Sequence, residues 1–157
     1  MKGRPGFTLI ETVVALLIAG ILTAFGGMLI FGLLTGYIQA AGHAELAMKA
    51  QVALDRLALE LRDMDQISAL TADTSITYVT DGVTRTIQFA DSEIQLVTSE
   101  TNALLGGVQT FSLSASYDNL DGVSGNETAY IDVGFTMAGS GANFSCRIFP
   151  RNLVPAP

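Results

Sequence analysis

Few side chains in this sequence could do chemistry, and the best placed of them is Glu11. It lies five residues past a Gly6-Phe7 junction, in the string Gly6-Phe7-Thr8-Leu9-Ile10-Glu11, at the head of a long apolar run. A carboxylate one turn into a membrane-length helix is costly, and such groups are functional candidates by default. A cut after Gly6 would explain it. Gly6 has no Cβ, so the backbone can lie close to protease groups. The new Phe7 amine would then sit within one helical turn of Glu11. It could neutralise Glu11 in its own chain or pair with Glu11 of a neighbouring copy. The plainer reading is a carboxylate that favours the positive end of a helix dipole. Both can operate, but the dipole alone does not require the whole string.

The remaining candidates are weaker. His43 is the only histidine, and at the boundary of the apolar run it reads as an interfacial helix residue rather than a base or ligand. Cys146 is the only cysteine, so no intramolecular disulfide can form, and its β-patterned surroundings predict a buried structural thiol. Asp118, Asp121, Asn126 and Glu127 supply oxygen donors in a glycine-containing loop that could take Ca²⁺. They do not follow the spacing of the usual Ca²⁺ loop, and a solvated turn is the default. The G-x-S-x-G and phosphate-loop patterns are absent, so an enzyme has no residues to stand on and no cofactor is expected.

The elements that must position Glu11 are legible. Between Glu11 and Glu45 there is no formal charge, and from Thr12 to Ile38 the polar side chains are Thr12, Thr23 and Thr35. A membrane helix needs ~20 apolar residues, so this run spans with residues to spare. Lys2 and Arg4 precede it, which predicts a cytoplasmic N-terminus and everything after Ile38 outside. The order basic, Gly, then apolar inverts that of a secretory signal, where the cut follows the apolar region. Glycines recur at Gly20, Gly26, Gly27, Gly32, Gly36 and Gly42. Gly32 and Gly36 form a small-xxx-small pair that lets helices approach closely in lipid. Gly26-Gly27 marks a place where the helix could loosen, since each Gly costs ~1 kcal/mol relative to Ala. The raised glycine content of membrane helices is the plainer account.

From Glu45 the pattern turns amphipathic. Leu46, Ala50, Ala53, Leu54, Leu57, Leu61 and Met64 recur at helical spacing, while Glu45, Lys49, Asp55, Arg56, Glu60 and Asp63 occupy other faces. No Pro interrupts the stretch, which predicts one helix from about Phe7 to about Met64, ~85 Å long at ~1.5 Å per residue. Leu57→Asp should therefore unfold the outer domain, and Arg56→Asp beside it should be nearly silent. Strands are predicted at 75–80, 83–89, 93–98, 108–117, 129–137 and 144–149, with Asp81-Gly82 as a two-residue hairpin signal. Pro150 and the Pro155–Pro157 tail stop pairing. One long helix followed by about six antiparallel strands is an α+β arrangement. Three segments are expected: a leader over 1–6, a membrane helix over 7–42 and an outer domain over 43–157.

The leader, the Gly6-Phe7 junction and Glu11 resemble the type IV prepilin superfamily, which includes pilins and the pseudopilins of type II secretion. The resemblance covers the first forty or so residues. It implies that prepilin peptidase cuts between Gly6 and Phe7 on the cytoplasmic side and N-methylates Phe7. It also implies that Glu11 sets the register between a docking subunit and the last one added. The implied fold is pilin-like and the implied partners are prepilin peptidase, other pilins or pseudopilins, an inner-membrane assembly platform and membrane lipid. Many pilins staple the C-terminal loop with a disulfide, and this chain has none to use. The strand series and Arg147–Asn152 loosely resemble the larger minor members, the J-type pseudopilin and the minor pilins. Loss of Lys2 and Arg4 would move the formal charge from −7 to −9. An acidic domain of this kind excludes nucleic acid as a partner, which needs a basic stripe. The rival reading is a single-pass membrane-anchored binding or adhesin domain that never polymerises. It does not need Glu11 or the Gly6-Phe7 junction.

Overall fold

The structure is a computed structural model that describes residues 8–123 and 125–157. One helix, α1 (Leu9–Arg62), is followed by eight strands: β1 (Gln66–Thr71), β2 (Ser75–Thr80), β3 (Val83–Ala90), β4 (Glu93–Val97), β5 (Thr101–Gly106), β6 (Val108–Asp118), β7 (Glu127–Met137) and β8 (Asn143–Ile148). The fold is α+β and pilin-like, with a long N-terminal helix and antiparallel sheets. The chain divides into two compact units, Met1–Ala44 and Glu45–Pro157, and the division falls within α1.

Among the described residues of the first unit, no side chain is buried. Its helix is long and apolar enough to cross a membrane, and none of its most apolar window is buried in protein. Its threonines meet the demand that lipid places on polar groups. Thr12 Oγ1 donates to the Leu9 carbonyl at 2.9 Å, Thr23 Oγ1 to Ala19 at 2.7 Å and Thr35 Oγ1 to Phe31 at 2.8 Å. Each hydroxyl thus finds its acceptor on its own helix. The helix continues unbroken through Gly26-Gly27.

The second unit is built on the stripe read from the sequence. Ala50, Ala53, Leu54, Leu57, Leu61 and Met64 are buried, and Leu46 is half-buried against them. They share one core with both sheets, including Ile76, Tyr78, Ile87, Ile94 and Leu105 from the first and Phe111, Leu113, Ile131, Val133 and Phe135 from the second. Such a pattern follows from side chains at i, i+3, i+4 and i+7 covering one helix face.

About six strands are expected from the sequence, and the structure has eight in two sheets, ordered β1-β2-β3-β4-β5 and β6-β7-β8. The added strands, β1 and β5, are the two edges of the larger sheet. Gln66–Thr71 has few β-branched residues, and Thr101–Gly106 carries Asn102 and Gly106, so neither announces itself locally. Each forms because the neighbouring strand offers an open ladder. Asp81 and Gly82 both take positive φ, 52° and 74°, which is the type I′ hairpin expected of that pair. Asp91 and Ser92 do the same without a glycine, at 53° and 62°. The sheets are tied where the Asp73 amide donates to the Leu113 carbonyl at 3.1 Å and the Leu113 amide returns to Asp73 Oδ1 at 3.0 Å. Phe89 of β3 stacks on Phe111 of β6 with centroids 5.8 Å apart.

Candidate assembly site and the charged groups

Thr8 is the first described residue, and α1 starts at Leu9. The Thr8 carbonyl accepts the amides of Glu11 at 3.1 Å and Thr12 at 3.2 Å. The Glu11 carboxylate reaches back toward the Thr8 amide at 3.5 Å. Thr8-Leu9-Ile10-Glu11 is therefore one arm of a capping box, in which the acidic residue at the third helical position satisfies an orphan donor at the cap. The T-x-x-E spacing is visible in the sequence and gives a local role for Glu11 beside the dipole effect. Gly6 and Phe7, the expected cleavage and methylation positions, lie outside the described residues.

The glycines of the span are open. A Cβ placed on Gly20, Gly26, Gly27, Gly32 or Gly36 would meet nothing within 4 Å. Gly32 lies in an apolar notch walled by Phe25, Met28, Leu29 and Leu33, side chains that protein leaves uncovered. A neighbouring helix could seat a side chain there, as the small-xxx-small spacing suggests.

One side-chain oxygen of each acidic residue in the 118–127 loop accepts an amide of the loop. Asp118 Oδ1 accepts the Asn119 amide at 2.9 Å, Asp121 Oδ1 accepts that of Val123 at 2.8 Å and Glu127 Oε2 accepts that of Leu120 at 2.8 Å. The Asn126 carbonyl takes the Ala156 amide at 2.9 Å. Among the described residues, no three His, Cys, Asp or Glu side chains come together as a metal cluster. Asn119, which the sequence reading passes over, organises this loop: it accepts from the Gly122 amide at 2.6 Å and donates to the Val123 carbonyl at 2.5 Å. His43 lies on α1, and Cys146 is half-buried against the core, where burial raises its thiol pKa and keeps it protonated at neutral pH.

Glu60 departs from expectation. The sequence places it on a solvated face, but it is buried at 7% exposure. Its Oε1 pairs with Arg56 at 2.6 Å, and its Oε2 takes Arg85 at 2.6 Å and the Tyr78 hydroxyl at 3.1 Å. A helix carboxylate is thus tied to β2 and β3. Arg56 is a partner of a buried charge, so Arg56→Asp would set a second carboxylate against Glu60, and it is not the silent change expected from the sequence. Arg85 Nε and Thr80 Oγ1 are buried nearby without a protein partner.

This cluster has a consequence in alkali. Burial, and then the Glu60 charge, push the Tyr78 phenol well above its ordinary value, and burial raises Tyr117 too. A native phenol that keeps its proton where the unfolded one loses it makes the folded state the better proton binder. Stability is then intact below about pH 10 and falls as pH rises beyond it. Thermal melts of the full chain in detergent should show this decline, and Tyr78→Phe should flatten it. An equal decline in that variant would assign the effect elsewhere.

At the far end of the smaller sheet, Arg147 makes a bidentate pair with Asp132 at 2.8 and 2.9 Å and lies 3.9 Å over the Tyr130 ring. Both partners are exposed, which makes this a surface interaction. Hydrogen bonding to Arg147 lowers the Asp132 pKa, so its small contribution is present above the ordinary carboxylate range and is lost as pH falls through the native value.

No curated protein and no solved structure matches this chain. Residues 1–26 match the family model described as the prokaryotic N-terminal methylation motif. That match takes in Gly6, Phe7 and Glu11 and the start of the exposed apolar helix. The chain therefore carries a type IV prepilin-like N-terminal signal, that of a pilin- or pseudopilin-like precursor.

Proposed function

We propose that this chain is a non-enzymatic structural subunit, a minor pilin or pseudopilin. It is cut after Gly6 by prepilin peptidase, methylated on Phe7 and assembled with similar subunits into a type IV pilus or a type II secretion pseudopilus. The observation that carries this reading is the methylation motif over residues 1–26, continuous with an unburied apolar helix that bears one carboxylate near its start. In this reading residues 1–6 are the leader, 7–42 the membrane and filament-core segment and 43–157 the outer domain. The N-terminus is cytoplasmic, the outer domain periplasmic, and an inner-membrane platform receives the membrane-held subunit.

In this reading Glu11 pairs with a neighbouring subunit. Its reach to the Thr8 amide uses one carboxylate oxygen in its own chain. The charge itself, at the head of an uncharged apolar run, would be balanced in a filament by the terminal amine of a neighbouring Phe7. The test has two parts. Intact-mass measurement of the membrane-extracted protein should show loss of Met1–Gly6 and gain of one methyl group; a mature chain that keeps Lys2 and Arg4 would refute processing. Glu11→Gln keeps a hydrogen-bond acceptor for the Thr8 amide but removes the charge. It should insert normally and fail to enter filaments. Incorporation at the parent level would reduce Glu11 to a helix cap and favour the anchored, non-polymerising domain.

A further inference from the structure

The last seven residues are tied down at both ends of a short detour. After β8 the chain turns at Pro150, and the Arg151 amide donates to the Arg62 carbonyl at 2.8 Å, which satisfies an orphan acceptor at the end of α1. Asn152 Nδ2 donates to the Met64 carbonyl at 3.2 Å and to Asp65 Oδ1 at 3.0 Å, holding the link between α1 and β1. Val154 then enters the core with no exposed surface. Its carbonyl accepts the Thr128 amide at 2.7 Å, the Ala156 amide donates to Asn126 at 2.9 Å and Pro155 bridges to Glu127. Val154–Ala156 thus occupy the side of β7 that β8, paired only as far as Ile131–Ile148, leaves open.

We propose that Arg151–Pro157 is a clasp that couples the β6-β7-β8 sheet to the end of α1, so that the two sheets unfold as one unit. The physical case rests on where its contacts lie. One end of the clasp holds the helix terminus and the entry to the five-stranded sheet; the other holds the start of the central strand of the smaller sheet. The lone Cys146 allows no intramolecular disulfide, so this coupling is non-covalent. Leu153, between the two anchors, is exposed and carries none of it.

The test is hydrogen exchange with mass analysis on the full chain in detergent, combined with thermal melts. In the parent, β2–β4 and β6–β8 should share one level of protection and melt in one step. Ending the chain after Pro150, or Val154→Asp, should speed exchange across β6–β8 by about tenfold or more while β2–β4 stay protected, because the burial of Val154 is lost. The melt should separate into two steps. Leu153→Ser should leave both readouts unchanged. Should the shortened chain not fold, Asn152→Ala and Val154→Ala read the same regional pattern in milder form. Exchange that rises evenly in both sheets, or in neither, overturns the proposal, since a tail that merely adds stability has no regional signature.

Discussion

Leu57→Asp should leave the outer domain unfolded while the membrane helix still inserts. Leu57 has no exposed surface and lies in the middle of the helix stripe, among the side chains that make the one core shared by both sheets. Burying a large apolar side chain contributes roughly 1.5–3 kcal/mol, and that gain is lost. An unpaired carboxylate would also have to enter the same space, which costs more than the lost burial. Together these exceed about 4 kcal/mol, a large share of the roughly 5–15 kcal/mol that holds a domain. Circular dichroism of the full chain in detergent should retain the signal of the apolar helix and lose the cooperative melt. A melt like the parent's would mean that the helix does not pack through Leu57. The expected outcome does not depend on the function proposed above.

Glu60→Ala is the second large effect. The substitution leaves Arg85 and the Tyr78 hydroxyl without their shared acceptor on a buried surface. Removing one partner of a buried pair costs about 3–5 kcal/mol, and the lower end applies because Arg85 keeps some solvent contact. Arg56→Asp should cost less, about 1–3 kcal/mol, since Arg56 is half exposed and Arg85 still holds Glu60. The contrast that tests the mechanism is the triple replacement Glu60→Leu, Arg85→Leu, Tyr78→Phe. It removes Glu60 and both of its sheet partners, including the unpartnered Arg85 Nε, leaves only the half-exposed Arg56, and should melt close to the parent. A triple variant as unstable as Glu60→Ala would show that the charges themselves stabilise the fold. Near recovery would mean that they set how the helix lies on β2 and β3 and add little net stability.

The N-terminal signal, the apolar helix and the core stripe belong to the sequence alone. Gly6, Phe7 and Glu11 carry meaning by type and spacing. A run without charge identifies itself by length. The stripe from Ala50 to Met64 follows from the helical period, because each buried position is fixed by its neighbours three and four residues away. The Asp81-Gly82 turn is local as well, since positive φ at both residues restricts the choice of side chain. Tertiary structure decided what no short window contains. β1 and β5 lack strand composition and exist because β2 and β4 offered them a ladder. Glu60 reads as surface by its own pattern, and it is buried because Arg85 and Tyr78, brought over from β3 and β2, meet it there. The donors at Asp118, Asp121 and Glu127 suggest a cation by composition, and in the fold one oxygen of each also accepts a loop amide. Val154 reads by composition as part of a proline-rich tail, and it lies in the core because the Arg62 carbonyl and the open side of β7 draw this segment inward. For Glu60 and Val154 the deciding partners are distant in sequence, and only the folded chain supplies them.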